Sequence, residues 1–295
     1  MIFLLDDDDK TKIVWEAERE SVPYGINRTT RNNIVPLTKG RYRFFLPGHR
    51  EAHRVFLSGS FNGWSTMQTP MERTDSGWST VVTLRPGKFS YKYIPDGKWI
   101  HDPFNRQTEP DRHGGRNSIW FCYNYQFTLD GYANAKNVYL AGSFNNWNSH
   151  ELRMIRINGK WRINLYLREG THAYKFIVDG HWILDPGNTV TRPDGRGNFN
   201  SFMSLGDTLY FTLRGFPKAE KVSVTGSFNN WNPGELAMNR VTGGWELPYV
   251  LAAGTYEYKF VVDGKWIIDP DNPNTTGADD FTNSILTVKP NVTFR

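Results

Sequence analysis

Residues 142–147 read GSFNNW, and this short stretch decides the fold because it occurs three times in the chain. Residues 59–64 read GSFNGW and residues 226–231 read GSFNNW, at offsets of 83 and 84 residues. Self-similarity at a fixed period is the sequence signature of tandem repeats, in which each copy is one structural unit. The spacing predicts three modules of about 83 residues each.

A second block follows each copy at a constant distance. It reads YKYIPDGKW in residues 91–99, YKFIVDGHW in residues 174–182 and YKFVVDGKW in residues 258–266. In every repeat the first Trp lies 28 residues before the Lys and 35 residues before the later Trp. Agreement of both distances at three places excludes chance. An Asp-Pro pair and then an Asn-Ser pair follow each block, and we interpret the Asp-Pro pairs as turn formers.

The composition favours an all-β protein. The chain of 295 residues has 11 Trp, 14 Tyr and 19 Phe, with 27 Gly and 16 Pro between the apolar runs. Aromatic and β-branched residues in short runs that are separated by Gly and Pro turns are typical of strands. Each repeat is therefore predicted to be a β-sandwich of several short strands.

Several classes of function are disfavoured by the same sequence. The net charge of +5 includes no Lys/Arg block that would follow a phosphate backbone, so we expect no nucleic acid partner. No run approaches the ~20 apolar residues of a membrane span, so we expect no membrane partner. We find no catalytic motif and no metal-ligand cluster, and therefore predict neither an enzyme, a cofactor nor a bound metal.

The single cysteine, Cys122, is predicted to be a buried apolar residue, and the lack of disulfides favours a reducing compartment such as the cytoplasm.

The Asp-Gly pair in each second block predicts a β-hairpin, because both central residues of a type I′ turn need positive φ. If Asp96 and Gly97 form a two-residue loop, Ile94 lies opposite Trp99 across the hairpin. Side chains alternate between the two faces, so Lys92 and Trp99 become diagonal neighbours on the outward face. Residues 91, 93 and 100 then face the core. The same register pairs Lys175 with Trp182 and Lys259 with Trp266.

An outward Trp beside a Lys, once per repeat, is typical of a surface that binds a neutral sugar. The apolar face of a pyranose ring can cover one indole face, which contributes about 2 kcal/mol, and Lys and Asn can hydrogen-bond to hydroxyl groups. Two simpler interpretations stay open at this point. The first Trp of each repeat could cap the sandwich, and the Asn before each closing strand could only satisfy turn backbone. A third set of tryptophans is interpreted as core residues, namely Trp78, Trp161 and Trp245.

The three blocks together resemble the glycogen-binding module of the AMP-activated protein kinase β subunit. That module belongs to carbohydrate-binding module family 48, which is related to the early-set domains of isoamylases and branching enzymes. The resemblance covers residues 41–290 and implies an all-β fold of three tandem immunoglobulin-like (early-set) β-sandwiches. It implies an α-glucan polysaccharide or oligosaccharide as ligand, such as glycogen, starch or a maltooligosaccharide. In the family both tryptophans, the hairpin Lys and the Asn before the last strand contact sugar.

The resemblance implies the following carbohydrate-binding residues. They are Trp64, Lys92, Trp99 and Asn117 in repeat 1 (41–124), Trp147, Lys175, Trp182 and Asn200 in repeat 2 (125–206), and Trp231, Lys259, Trp266 and Asn283 in repeat 3 (207–295). One feature departs from the family, which has a leucine in the loop before the Asn. The corresponding loops, 111–116, 194–199 and 277–282, contain no leucine, and Phe199 and Phe281 are candidates to replace it.

Residues 1–40 are interpreted as a partial or degenerate fourth repeat, with an unrelated leader as the alternative. Residues 2–6 (IFLLD) match residues 175–179 (KFIVD), residues 32–34 (NNI) match residues 117–119 (NSI), and residues 13–15 (IVW) are a candidate return strand.

Our prediction is a non-catalytic, multivalent α-glucan binder. Two alternatives stay open: a targeting fragment of a larger glucan-active enzyme with a separate catalytic domain, and a scaffold or adhesin that binds a protein partner.

Overall fold

The computed structural model describes residues 22–289, and within that range the regular secondary structure is almost entirely antiparallel strand. The predicted all-β class is therefore confirmed. The matches proposed for residues 2–6 and 13–15 lie outside the described residues. Between residues 22 and 289, every helix is a single 3-10 turn, and none is long or apolar enough to span a membrane.

The strands recur in the same order in each repeat. In the first part of the chain they are β1 (Tyr24–Gly25), β2 (Ile34–Pro36), β3 (Arg41–Pro47), β4 (Val55–Gly59), β5 (Glu72–Thr74), β6 (Gly77–Thr83), β7 (Gly87–Pro95), β8 (Thr108–Pro110) and β9 (Arg116–Cys122). They continue as β10 (Tyr125–Leu129), β11 (Val138–Gly142), β12 (Leu152–Arg153), β13 (Ile155–Ile157), β14 (Lys160–Leu167), β15 (Gly170–Val178), β16 (His181–Ile183), β17 (Thr191–Pro193) and β18 (Phe199–Leu205). The last are β19 (Leu209–Arg214), β20 (Val222–Gly226), β21 (Asn239–Val241), β22 (Gly244–Tyr249), β23 (Gly254–Val262), β24 (Lys265–Ile267), β25 (Thr275–Thr276) and β26 (Asn283–Val288). The 3-10 turns are Ser60–Asn62, Ser143–Asn145, Ser227–Asn229 and Asp279–Phe281.

The chain divides into two compact units. The first runs to Phe127 and includes Asn164–Leu167, and the second contains Thr128–Ile163 and the residues from Arg168 onwards. In the first unit, one sheet has the order β2-β3-β6-β5 and the other has the order β4-β7-β9-β8. Both sheets contribute side chains to one core, in which the rings of Phe44 and Tyr91 lie 5.2 Å apart. This arrangement is a β-sandwich.

The second unit repeats the same strand orders. One sheet has the order β12-β11-β15-β18-β17 with β16 added to β15, and another has the order β20-β23-β26-β25 with β24 added to β23. A sheet of β19, β22 and β21 completes the last sandwich, whose core includes Phe211 and Tyr258 with ring centroids 5.4 Å apart. In the same unit, β13 pairs with the first residues of β14 in antiparallel orientation, with Ile155 opposite Arg162.

The third set of tryptophans is confirmed as core. Trp78, Trp161 and Trp245 are all buried, and their indole nitrogens donate to the carbonyl oxygens of residues 49, 132 and 216. A buried indole N–H needs such a partner, because an unpaired polar group in a core is destabilising. Cys122 is also buried, as predicted, and its burial raises the pKa of its thiol well above the usual range.

The aspartate of each Asp-Pro pair accepts a hydrogen bond from a buried tyrosine of its sandwich. Asp102 is fully buried, and its carboxylate accepts hydrogen bonds from the Tyr91 hydroxyl at 2.7 Å and from the Asn33 amide at 2.5 Å. The same carboxylate accepts the Phe104 backbone N–H at 2.9 Å, so this aspartate shapes a turn as expected and also satisfies core donors. The Tyr–Asp bond recurs in the other repeats, as Tyr174 with Asp185 and Tyr258 with Asp269.

We expect Asp102→Ala to destabilise the first unit by about 3 kcal/mol, because it leaves several buried donors without an acceptor. Urea unfolding followed by tryptophan fluorescence measures the change. Asp75→Ala removes an exposed aspartate of the same unit and is the matched control, for which we expect a change within about 0.5 kcal/mol. Equal effects of the two substitutions would contradict the role assigned to the buried carboxylate.

Candidate functional site

The Asp-Gly hairpins have the predicted register. Asp96 and Gly97 have φ values of 45° and 86°, and the backbone groups of Tyr93 and Ile100 exchange hydrogen bonds of 2.9 Å. In the other repeats the hairpin Trp lies opposite the residue equivalent to Ile94, as Ile177 with Trp182 and Val261 with Trp266. The hairpin Trp side chain therefore projects from the outer face of its sheet in each repeat.

The outer face is not uniformly exposed to solvent. Ile94 is only 2% exposed although it shares this face with Trp99, because it lies between Phe56 of β4 and Trp99 of the hairpin. Trp99, Trp182 and Trp266 themselves are 41%, 46% and 43% exposed. Buried aliphatic side chains therefore lie beside exposed indole rings.

The first Trp of each repeat comes from the loop after a strand, and an asparagine shapes that loop. The Asn62 side chain accepts the Gly59 backbone N–H at 2.9 Å and donates to the Leu57 carbonyl at 3.0 Å. A Cβ atom at Gly59 would lie 2.4 Å from the Ser90 carbonyl oxygen, so only glycine fits there. The equivalent bonds join Gly142 to Asn145 and Gly226 to Asn229, each at 3.0 Å.

This loop holds the tryptophan in an uncommon backbone conformation. Trp64, Trp147 and Trp231 have φ values of 60°, 58° and 56°, in the left-handed region that costs a non-glycine residue about 1 kcal/mol. The preceding residue is also left-handed and is Gly or Asn, the residue types that tolerate this region best. Strain that recurs at one half-buried position in three repeats indicates a functional constraint.

The loop Trp and the hairpin Trp form the same pair in every repeat. The ring centroids lie 6.3 Å apart for Trp64 and Trp99, with 43° between the ring planes. The corresponding values are 6.2 Å and 47° in repeat 2, and 6.3 Å and 35° in repeat 3. The two indoles are therefore neither stacked nor coplanar, and together they form a shallow, angled aromatic surface.

The predicted Lys and Asn lie beside this pair. Tyr91 is paired with the buried Ser118 in the neighbouring strand, which places Lys92 and Asn117 at the next opposite positions on the outer face. The pairs Tyr174–Ser201 and Tyr258–Ser284 give the same placement in the other repeats. The structure thus brings all four predicted residue types together in each repeat. We call these groups platform 1 (Trp64, Lys92, Trp99, Asn117), platform 2 (Trp147, Lys175, Trp182, Asn200) and platform 3 (Trp231, Lys259, Trp266, Asn283).

The surroundings of the lysine differ between the platforms. The Lys92 ammonium forms an ion pair with Asp111, and both side chains are largely buried. Hydrogen bonds from Lys92 and from the backbone N–H groups of His113 and Gly115 lower the pKa of Asp111 to about 2. Backbone N–H groups, with a smaller effect of Lys175, likewise lower the pKa of Asp194 in repeat 2.

Repeat 3 has no aspartate at the corresponding loop position, where Gly277 and Ala278 stand. Here the amide of Asn283 donates instead to the Glu257 carboxylate at 2.8 Å. The loop phenylalanines are exposed, with Phe199 at 51% and Phe281 at 83%. The three platforms therefore share their aromatic pair and differ in the loop beside it.

The sequence did not lead us to expect three features of the site. They are the left-handed tryptophan, the Asn that closes its loop and the Lys–Asp ion pair. The Gly or Asn before each first Trp was a readable signal for the left-handed turn, because these residues tolerate positive φ. The ion pair had no such signal, since Lys92 and Asp111 are brought together by pairing between separate strands. Within residues 22–289, no three His, Cys, Asp or Glu side chains are placed to share a metal ion.

A β-sandwich with a paired aromatic surface beside an ammonium and an amide has the features of a carbohydrate-binding module. The family model described as the glycogen recognition site of AMP-activated protein kinase matches residues 44–120, 123–211 and 211–294. These matches cover most of the chain, which therefore belongs to that family. The resemblance stated from the sequence is confirmed.

Two kinds of relative are similar to this chain. Subunit beta-1 of 5′-AMP-activated protein kinase from Sus scrofa is 49% identical over 49 residues, which is 17% of this chain and 38% of that protein. Subunit beta-2 from Mus musculus is 44% identical over 49 residues, so the match spans 18% of that relative's length. Among solved structures, the maltogenic amylase from S. marinus matches 60% of this chain and 30% of its own, with 15% identity and a TM-score of 0.25. A pullulanase from Klebsiella pneumoniae complexed with maltotriose matches 95% of this chain and 34% of its own, with 12% identity and a TM-score of 0.23.

We expect Asp111→Asn to destabilise the first unit at neutral pH, because it removes the negative charge that pairs with Lys92. The folded-state pKa of Asp111 lies below its ordinary value of 3.8, so the ionised carboxylate stabilises the fold above that pH. The stabilisation is lost as the pH falls towards 2. Unfolding midpoints measured by circular dichroism from pH 7 to pH 2 should therefore converge for the variant and the parent protein.

The matched control is Asp130→Asn, which removes the carboxylate of an exposed pair with Lys160. Exposed ion pairs contribute little to stability, so we expect no change in the unfolding midpoint for this variant. A difference between Asp111→Asn and the parent protein that stayed constant from pH 7 to pH 2 would contradict the electrostatic explanation.

Proposed function

We propose that the chain binds α-glucan without catalysis, through platforms 1, 2 and 3 acting together on one polymer. The observation that supports this proposal is the pair of indoles, one exposed and one half-buried, tilted by 35–47° at a separation of 6.2–6.3 Å in all three repeats. Three independent loops hold this geometry at a cost in backbone strain. Glycogen, starch and maltooligosaccharides are the ligands that the family suggests.

The tilt between the rings favours an α-1,4-linked chain over a flat one. Successive sugar rings in an α-1,4-glucan are inclined to one another, so their apolar faces fit two aromatic surfaces that are also inclined. A β-1,4-glucan is an extended ribbon that would need nearly coplanar rings. Covering one indole face contributes about 2 kcal/mol, which makes each platform a weak site by itself.

The polar groups of each platform suit hydroxyl groups. An ammonium group carries three donors, so Lys92 retains donors for a sugar while it contacts Asp111. The amide of Asn117 is both a donor and an acceptor, which is the pattern that vicinal hydroxyls require. We propose that Phe199 and Phe281 add a further apolar contact beside platforms 2 and 3.

Three weak sites on one chain make binding multivalent. A second or third contact with the same polymer is intramolecular, so avidity can exceed single-site affinity by about 10²–10⁴. We propose modules at 41–124, 125–206 and 207–295, with residues 1–40 as a partial repeat. The matched ranges 44–120, 123–211 and 211–294 support these boundaries.

We propose that the whole protein is not an enzyme. Hydrolysis of a glycosidic bond usually requires two carboxylates that face each other across one cleft. Of the carboxylates beside the platforms, Asp111 is held by Lys92 and by backbone donors, which leaves it poorly suited to proton transfer. An assay of the purified chain for glucan hydrolysis tests whether these residues are catalytic, and an assay for capture of proteins tests the alternative of a protein partner.

We expect combined Trp99→Ala, Trp182→Ala and Trp266→Ala to weaken glycogen binding by at least about 100-fold, because the substitutions remove one ring from every platform. Retardation in native gels that contain glycogen measures the effect. Each single substitution should weaken binding less than the triple variant, since the other two platforms continue to bind the polymer.

Tyr210→Ala is the matched control, because Tyr210 is an aromatic residue that is 60% exposed outside the platforms. It should migrate like the parent protein. Unretarded migration of the parent protein would reject glucan binding, and normal retardation of the triple variant would reject the platform residues. Soluble maltohexaose should release the retarded protein, whereas cellohexaose should not.

A further inference from the structure

A cleft of about 870 Å³ adjoins platform 2 inside the second compact unit. All four residues of platform 2 line it. The facing wall belongs to repeat 3 and includes Asn230, Asn232, Glu235 and Tyr249. Its volume lies in the upper part of the range for small-molecule sites, so it has room for an oligosaccharide rather than for one sugar ring. The aromatic surface of platform 2 therefore continues into a space with a second, polar wall.

Specific contacts hold the two walls together. The Arg192 guanidinium of repeat 2 lies over the Tyr249 ring of repeat 3, with its central carbon 5.2 Å from the ring centroid. The Thr171 hydroxyl donates to the Val250 carbonyl at 2.9 Å, and Arg168 donates to the Ala253 carbonyl at 2.8 Å. These bonds fix repeat 3 against repeat 2, so the cleft is preformed. A preformed site avoids the entropy cost of ordering its walls when a ligand binds.

The charges in the cleft favour a neutral ligand. Its charged lining residues include both cations and an anion, Lys175, Arg196 and Asp194, and Glu235 is a fourth ionisable group. A strongly anionic or cationic ligand would meet a repulsive group on one wall. A polyhydroxy ligand can accept hydrogen bonds from the cations and donate to the carboxylates. The cleft therefore suits the same class of ligand as the platform beside it.

The carboxyl group of Glu235 is half-buried on the repeat 3 wall. Burial raises its pKa to about 7, although the positive charge of Arg192 acts in the opposite direction. At neutral pH this group is present in both protonation states, and each state can hydrogen-bond to a hydroxyl. A sugar hydroxyl placed beside Glu235 would satisfy a polar group that water reaches only in part.

We propose that platform 2 and the facing wall of repeat 3 form one composite subsite, which binds a longer stretch of glucan than a single platform can cover. Repeat 2 contributes the aromatic surface, and Asn230 and Glu235 of repeat 3 hydrogen-bond to the sugars that extend beyond it. The proposal rests on the proposed function and extends it, since it assigns ligand length to one of the three platforms.

The test uses a full-length variant with only platform 2 intact, Trp99→Ala with Trp266→Ala, titrated calorimetrically with maltotriose and maltohexaose. We expect maltohexaose to bind at least about tenfold more tightly than maltotriose, which corresponds to one or two additional hydrogen bonds. The comparison variant keeps only platform 3, through Trp99→Ala with Trp182→Ala. A longer ligand can bind one platform in more registers, and this variant measures that effect alone. The ratio of its maltohexaose affinity to its maltotriose affinity should therefore be smaller than the ratio for the platform 2 variant.

Glu235→Ala and Asn230→Gly, each added to the platform 2 variant, probe the repeat 3 wall. Glycine is the natural residue at the equivalent position of repeat 1, Gly63, and it tolerates the positive φ of Asn230. Each substitution should weaken maltohexaose binding by about five- to tenfold and leave maltotriose binding unchanged. Glu151→Ala is the matched control, because Glu151 has the same place in the loop of repeat 2 and does not line the cleft.

The outcomes separate this proposal from the proposed function. Absence of binding to both sugars by the platform 2 variant would reject the proposed function. Equal affinities for the two sugars, or equal effects of Glu235→Ala on both, would reject the composite subsite alone. Side-chain amide NMR signals give a second readout that needs no cleft substitution. The Asn230 signal should shift with maltohexaose and not with maltotriose, and no shift with either sugar would also overturn the proposal.

Discussion

The hydrogen bond from the Gly59 backbone N–H to the Asn62 side chain, with its two equivalents, is the constraint on which each platform depends. It closes a 3-10 turn that ends in two consecutive left-handed residues, and the second of these is the tryptophan. A bulky residue adopts this conformation only where surrounding structure enforces it. Two contacts hold the turn in this conformation. Gly59 lies close to the backbone of β7, and the Phe61 ring is buried in the core. The packing of the core thus holds a half-buried aromatic residue in a strained backbone conformation.

How much of the site was predictable depends on how local each interaction is. The register of the hairpin followed from its Asp-Gly turn and from the alternation of strand side chains, so the diagonal placement of Lys92 and Trp99 could be worked out from the sequence. The distance between Trp64 and Trp99 could not be worked out, because Trp64 lies in the loop after β4 and Trp99 lies in the hairpin after β7, and these segments are far apart in the sequence. The ion pair of Lys92 with Asp111 could likewise not be predicted from the sequence, because pairing between distant strands brings the two residues together.

The buried polar networks illustrate a different limit. An Asp-Pro pair is typical of turns, and Asp102 does shape one. Its full burial and its bonds to Tyr91 and Asn33 depend on the closure of two sheets around it. A sequence pattern shows that such a residue recurs and leaves open whether its side chain points to solvent or to the core. Here the turn function and the core function belong to one carboxylate, which explains why the pair recurs at a fixed distance from the hairpin.

Repetition and divergence in the platforms have separate physical causes. The paired indoles provide most of the apolar contact, so a weak site that is repeated along a polymer requires the same pair each time. The neighbouring loops differ, because Asp111 and Asp194 have Gly277 as their counterpart in repeat 3. A polymer with many identical sugars does not require three identical sites. Weaker binding at one platform is offset because the other platforms keep the polymer at a high effective concentration. In the proposed composite subsite, platform 2 therefore shares a second wall with repeat 3 while the other two platforms maintain attachment to the polymer.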